Sequence, residues 1–240
     1  MPLVHAVRSF ACYVLLALYI ALVGPPALGA AFLTGRVGHV FALGRLGASA
    51  VRRLLGIRLE VDGLEHVAGD RAAVYCINHR SNADVVAFEA LFPSCPRLRG
   101  LYKAELGRVP ILGRAMRLVG FVPVDRANRA SAIAAVDQAA ARLAAGDSFL
   151  IAPEGTRART DELLPFKKGG FVMAIRAQAP VVPVALHGTA TAMPRGQFRV
   201  TPTLVRVVAG EPVPTTGMTL EDRDRLMAAV RERLQAMLRG

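Results

Sequence analysis

The chain has no tryptophan, and aromatic residues make up only 6% of its 240 positions. That scarcity argues against a protein that stacks nucleic-acid bases on aromatic rings. There are three cysteines, Cys12, Cys76 and Cys95, and no Cys-x-x-Cys pair among them. Three scattered thiols make no disulfide framework, and nothing argues for an oxidising compartment. Gly-x-Ser-x-Gly is missing, which removes the nucleophile elbow of a serine esterase. Acid is missing from a long stretch: the first acidic residue is Glu60, and the 59 residues before it carry six arginines. From Phe10 to Leu33 there is no charge of either sign.

What is present is apolar and basic. Hydrophobic residues reach 53%, enough for a sizeable core with apolar surface left over for a membrane, and the net charge is +12. A basic balance suits nucleic acid or anionic lipid equally. Here half of the excess lies beside the apolar stretch, and no nucleic-acid motif occurs. A basic nucleic-acid binder is therefore kept only as the non-enzyme alternative. As a helix, the charge-free run would reach ~36 Å, against ~30 Å for a hydrocarbon core. Gly24-Pro25-Pro26 interrupts it, however, and leaves a first piece of only ~21 Å. A kinked span and a signal peptide with Arg8 before its apolar part are the alternatives. The reading adopted is a membrane-associated helical hairpin over residues 1–58, broken at Gly24-Pro25-Pro26 and lying in one leaflet. Its second helix has Val40, Phe41, Leu54 and Leu55 on the apolar side and arginines on the edge, as an interfacial helix on anionic lipid would. A solvated helix packed on the core is the bland alternative.

Residues 59–240 read as one catalytic α/β domain, because strands and helices alternate. Strands are predicted near 57–61, 72–77, 101–103, 120–124, 148–151, 181–186 and 199–208, with a loop over 93–99. Helices are predicted over 85–91, 110–118, 127–145 and 171–178. Thr219-x-x-Asp222 reads as a capping-box variant opening a last helix, with Leu226, Val230 and Leu234 on one face.

The organising stretch is Asn78-His79-Arg80-Ser81-Asn82-Ala83-Asp84. An apolar strand precedes it and a helix follows, so His79 sits on a strand-to-helix turn and Asp84 within the first helical turn. A carboxylate on one ring nitrogen fixes the tautomer and leaves the other nitrogen free as a base. The same spacing occurs in metal sites, but no further His/Cys cluster lies near. Cys76, in the strand, reads as a buried structural thiol. Lys103, at a strand end, reads as a phosphate contact or as an ordinary solvated lysine. A strand over 148–151 delivers Pro153-Glu154-Gly155-Thr156-Arg157 into a loop. Lys167-Lys168-Gly169-Gly170 then opens a helix whose free N–H groups favour an anion, and Arg157 can fork two phosphate oxygens.

Asn78-His79-x-Ser81-x-x-Asp84 resembles the first motif of the glycerolipid acyltransferases, the 1-acylglycerol-3-phosphate acyltransferase family, with its His-x4-Asp spacing. Gly120-Phe121-Val122-Pro123-Val124-Asp125-Arg126 resembles the second motif. Pro153-Glu154-Gly155-Thr156-Arg157 resembles the third, and Val181-Val182-Pro183-Val184 the fourth. All lie in the family's order across roughly residues 58–210. Asn82 and Ala83 stand where an aromatic or large apolar residue is usual, and Ala152 where a Phe usually precedes the third motif.

The resemblance implies the glycerolipid acyltransferase fold, a central, mostly β-sheet core flanked by helices. It implies transfer of a fatty acyl group from a thioester, on acyl-carrier protein or coenzyme A, to the sn-2 hydroxyl of 1-acylglycerol-3-phosphate, forming phosphatidic acid. Lyso-ornithine lipid and glycerol-3-phosphate are the alternative acceptors. His79 would be the base and Asp84 its partner. Lys103, Arg126, Glu154, Gly155, Thr156 and Arg157 would bind the acceptor. No metal or further cofactor is implied. The expected place is the cytoplasmic membrane, monotopic on anionic inner-leaflet lipid, with the catalytic domain facing the cytoplasm and no nucleic acid as partner.

Overall fold

Three apolar runs, residues 74–77, 148–151 and 181–187, form strands whose side chains are buried on both faces, as central parallel strands are. The computed structural model describes residues 2–67, 69–125 and 127–239. In chain order its elements are α1 (Pro2–Thr34), α2 (Gly38–Leu54), β1 (Arg58–Asp62), β2 (Val74–Ile77), α3 (Val86–Leu91), β3 (Leu98–Lys103), α4 (Leu112–Leu118), β4 (Val122–Val124), α5 (Arg129–Ala144), β5 (Ser148–Ile151), α6 (Gly169–Arg176), β6 (Val181–His187), α7 (Thr189–Ala192), β7 (Leu204–Ala209) and α8 (Arg223–Arg239). The strands make one mixed sheet in the order β1-β7-β6-β2-β5-β3-β4. Among the described strands only the β6–β7 pair is antiparallel. Strands β2 to β6 all run parallel, so the loops that follow them gather at one edge. Ligands of open α/β sheets bind at that edge.

Strand alternation divides the core. Tyr75 and Ile77 of β2 face a cluster with α3 and with Cys12 of α1. Val74 and Cys76 face α5, α6 and α8, where Ala139, Phe171 and Leu226 are fully buried. Asp222 Oδ2 accepts the Thr219 N–H at 2.8 Å, so the expected cap does open α8. Two strand bounds differ from expectation. β3 begins inside the stretch expected as a loop, because Arg99 is buried against Asp147 (3.2 Å) and stacks over Phe41, its cation centre 4.6 Å from the ring. β7 begins at Leu204 rather than near residue 199, because the preceding backbone has other partners. Val200 N–H donates to Ser9 Oγ, and Thr201 N–H to the Ala192 carbonyl.

The N-terminal helices correct a larger expectation. α1 runs through Pro25 and Pro26 without ending, and the chain reverses only at residues 35–37. Gly24, before Pro25, has no Cβ, which removes part of the clash that disfavours helix before a proline, although Pro25 keeps it before Pro26. A Cβ there would also come within 2.3 Å of Ile111 Cγ2, so the glycine is where α1 meets the catalytic part. α2 returns along α1, with Tyr19 donating to the Leu43 carbonyl (2.8 Å) and His39 Nε2 bonded to the Ala27 carbonyl (2.8 Å). Leu3, Val7, Phe10, Val14, Leu18 and Leu22 form an exposed apolar stripe along α1 at helical spacing. Among the described residues α1 is the one helix long and apolar enough to cross a membrane, by length and composition. The Gly24 contact yields a test. Gly24→Val restores both the pre-proline restriction and the clash with Ile111, and overpacking of this kind costs ~1–3 kcal/mol. A lowered unfolding temperature in detergent is expected, and an unchanged one would mean that α1 does not need this contact.

Candidate active site

The turn after β2 is built around one carboxylate. Asp84 lies in a 3-10 turn, Asn82–Val85, entered from Ser81, whose Oγ accepts the Ala83 N–H. This local cap turns Asp84 back toward the strand end. Its Oδ2 accepts three bonds: from His79 Nδ1 at 2.7 Å, from Arg80 N–H at 2.8 Å and from Ser81 N–H at 3.0 Å. A carboxylate cannot donate, so Nδ1 carries the proton and Nε2 keeps its lone pair. The imidazole is 23% exposed while the Asp84 side chain is 4% exposed, so the pair is anchored from inside and open to a substrate at the ring. The expected His79–Asp84 contact is thus formed in the folded chain.

Neighbouring elements fix the rest of His79. Asn78 ends β2 by extending its ladder with a side chain: Nδ2 donates to the Leu186 carbonyl at 3.0 Å, and Oδ1 accepts the Leu186 N–H at 2.7 Å. Glu154 Oε1 accepts the His79 N–H at 2.7 Å and Oε2 the Leu164 N–H at 2.8 Å. The His79 carbonyl accepts the Ala158 N–H at 2.8 Å. The expectation that Glu154 binds the acceptor is therefore corrected. At 2% exposure, with both oxygens taken, it braces the catalytic turn from below. Burial pushes its carboxyl pKa up, and the two N–H donors pull it back down.

The other expected residues are spread along the same edge. Arg157 is half-buried and its Nη1 donates to Asn82 Oδ1 at 2.9 Å, which joins the third motif to the first. Thr156 is exposed beside it. Gly155 supplies a left-handed backbone, φ +70°, rather than a side-chain contact. Lys103 ends β3, exposed and paired with Glu105 at 3.0 Å. Arg126 lies outside the described residues. At the helix start Gly169-Gly170 a Cβ at Gly170 would come within 2.1 Å of Ile151 Cδ1, so the small residues there let α6 pack on β5. Cys76 is fully buried, and burial pushes its thiol pKa far up, so it is no nucleophile. Among the described residues no three His, Cys, Asp or Glu side chains gather as a metal site would require. The sequence reading assigned no role to Asn78, Ser81 or Arg195. Ser81 Oγ donates to the Met193 carbonyl at 2.6 Å, and Arg195 Nη1 to the Arg157 carbonyl. Asn78 and Ser81 stand inside the first motif, which was the available signal. Arg195 had none.

Comparison with known proteins places this geometry in a class. A family model described as Acyltransferase matches residues 58–187, from β1 to the end of β6. The chain belongs to the acyltransferase family and is an acyl-transferring enzyme. It is 33% identical over 190 residues to a 1-acyl-sn-glycerol-3-phosphate acyltransferase of Limnanthes douglasii, covering 79% of this chain and 66% of that protein. It is 32% identical over 196 residues to the human 1-acyl-sn-glycerol-3-phosphate acyltransferase alpha, covering 81% of this chain and 69% of the human one. The chain thus spans about two thirds of the length of the plant relative. In fold it is similar to the crystal structure of the 1-acyl-sn-glycerophosphate acyltransferase of Thermotoga maritima, with a TM-score of 0.81 at 23% identity over 99% of this chain and 97% of that one.

Glu154→Gln separates a brace from a substrate contact. The amide oxygen can replace one acceptor, but the NH2 then faces an N–H, at a cost of ~1–3 kcal/mol. Expected are a lower unfolding temperature and a lower kcat, with the acceptor KM unchanged. The pH dependence has a definite sign. A carboxyl whose pKa is raised by folding makes the native state hold more protons, so stability falls as pH climbs from the unfolded carboxyl range through the raised value. Thermal unfolding against pH should show this step in the wild type and lose it in Glu154→Gln.

Proposed function

We propose that the enzyme transfers a fatty acyl group from a thioester donor to the sn-2 hydroxyl of 1-acylglycerol-3-phosphate, giving phosphatidic acid. The observation that carries this reading is the 2.7 Å contact between His79 Nδ1 and Asp84 Oδ2, which leaves Nε2 as the ring nitrogen available to act as a base. The names of the plant and human relatives support the choice of acceptor. In the reaction His79 Nε2 takes the proton of the acceptor hydroxyl. The hydroxyl oxygen bonds to the thioester carbonyl carbon, the carbon–sulfur bond breaks, and the departing thiolate receives the proton from the imidazolium. The substrate brings the nucleophile, so no acyl-enzyme forms. Asp84 holds the ring in its tautomer and stabilises the imidazolium. Arg157, with Arg126, Thr156 and Lys103, binds and orients the acceptor phosphate, and the donor thiol belongs to acyl-carrier protein or coenzyme A.

Residues 1–58 serve as the membrane-associated hairpin and 59–240 as the catalytic domain. A lysolipid and its product both reside in the bilayer, so the His79 turn must work at headgroup level. The exposed stripe of α1 suits an anchor lying in the cytoplasmic leaflet, with the exposed Arg36, Arg45, Arg53 and Arg58 on anionic headgroups, each contributing ~1 kcal/mol near the surface, while Arg52 is engaged by Glu89.

A matrix of donors and acceptors with the purified protein tests the reaction, lyso-ornithine lipid being the phosphate-free acceptor; preference for it would overturn the choice of substrate. His79→Ala should cost ~10²–10⁴-fold in kcat with the fold retained, and Asp84→Asn should keep a small residue of activity. Full turnover by a folded His79→Ala protein would remove the base from the mechanism. Topology is checked by single cysteines replacing Leu3 and Leu238 in sealed cells. Both should resist an impermeant reagent from outside; labelling of position 3 alone would mean a true span.

A further inference from the structure

Two arginines at this edge are held without a countercharge. Arg80, within the first motif, is paired with Asp161. Arg157 instead rests on a neutral amide, Asn82 Oδ1 at 2.9 Å, and Arg195 on a neutral carbonyl, that of Arg157 itself. Among the described residues no carboxylate lies within ion-pair reach of either guanidinium. Their placement is nonetheless fixed. Ser81 Oγ grips the Met193 carbonyl at 2.6 Å, two residues before Arg195. The Ala158 N–H grips the His79 carbonyl at 2.8 Å, next in sequence to Arg157. Three separate segments, the His79 turn, the loop after β5 and the stretch after α7, are thus tied together, with Arg157 reaching Asn82 in the first and Arg195 reaching the Arg157 backbone in the second. A cation held without a countercharge stays available to an arriving anion. A neutral tether leaves both positive charges available, where an acid at position 82 would cancel one.

We propose that Asn82, Arg157 and Arg195 form one cradle for a dianionic phosphate monoester, with Arg195 as its second cation and Asn82 as the positioning residue that keeps Arg157 uncompensated. This rests on reading the acceptor as a phosphate-bearing lysolipid and narrows that class. A terminal phosphate carries close to two charges at neutral pH, whereas a phosphodiester headgroup carries one on its phosphate. Two free cations therefore favour 1-acylglycerol-3-phosphate over lysolipids whose phosphate is esterified twice. Asn82, where relatives of this kind usually carry an aromatic or apolar residue, is then a specificity device of this chain.

The test uses the full-length protein in detergent and compares wild type, Arg195→Ala, Arg195→Lys and Asn82→Asp. Rates are measured on 1-acylglycerol-3-phosphate and on a lysophosphodiester, and sn-glycerol 3-phosphate is titrated calorimetrically. Arg195→Ala should raise the KM for the monoester roughly 10-fold, the loss of one charge-assisted contact, with kcat, donor KM and the diester KM unchanged. Arg195→Lys should recover part of that loss. Asn82→Asp should raise the monoester KM by at least as much, because its carboxylate competes for Arg157, and both variants should bind glycerol 3-phosphate more weakly. A monoester KM and a glycerol 3-phosphate affinity that stay at wild-type values in Arg195→Ala and Asn82→Asp would overturn the cradle, with the acyl-transfer reading intact. If the wild type instead acylates no phosphate-bearing lysolipid, that reading of the acceptor fails. The titration then decides the cradle alone: weaker binding in the variants supports it, and equal binding overturns it.

Discussion

One oxygen atom holds the catalytic turn in shape. Asp84 Oδ2 collects the imidazole Nδ1 and the N–H groups of Arg80 and Ser81. Hydrogen bonds to a charged acceptor are individually stronger than neutral ones, and three on one atom define both the path of the backbone and the direction of the ring. With Glu154 on the His79 N–H and Ala158 on its carbonyl, every polar atom of His79 except Nε2 is occupied. The one atom left over is the one the proposed reaction would use. Such preorganisation removes from the reaction the cost of arranging the base.

Two buried carboxylates therefore stand side by side with different duties. Asp84 addresses the side chain of His79 and Glu154 its backbone. Their difference follows from position. Asp84 reaches back along its own turn, while Glu154 comes up from the end of the adjacent strand β5 and also ties down Leu164. Cations are sorted in the same manner. Asp147 gathers Arg97, Arg99 and Arg142 at the opposite end of β3 and β5, and Arg80 has Asp161. Arg157 and Arg195 are bonded instead to neutral oxygens, Arg157 to Asn82 and Arg195 to the Arg157 carbonyl.

The apolar N-terminus is joined to this site by contacts that skip along the chain. Ser9 of α1 accepts from Val200, Thr201 donates to Ala192, and Met193 accepts from Ser81 of the first motif. Tyr13 adds a bond from its hydroxyl to the Phe198 carbonyl at 2.6 Å. The helix with the exposed apolar stripe thus shares a short hydrogen-bonded route with the His79 turn. In the proposed reaction on a membrane-resident lysolipid, such a route would let the depth of the helix set the height of the active site.

The His79–Asp84 pair, the buried strands and the alternation of helix and strand were all legible in the amino-acid order. Each rests on short-range periodicity or on groups a few residues apart, and a turn of that length has few ways to close. The role of Glu154 was not legible: whether a carboxylate faces a ligand or the backbone of a strand 75 residues away depends on which strands pair, and β2 lies next to β5 only in the folded sheet. Pro25 and Pro26 signalled a break by local rule, yet α1 runs through both, with Gly24 packed closely against Ile111 of a distant segment. Arg195 carries no motif, and its place beside Arg157 comes from Ser81 anchoring a segment 112 positions further on. The amino-acid order was enough for the His79–Asp84 contact and the layers around it, because local geometry and hydrophobic pattern suffice for those. Which charges become braces and which stay without a countercharge was settled by the fold alone, because that depends on neighbours brought together by the sheet.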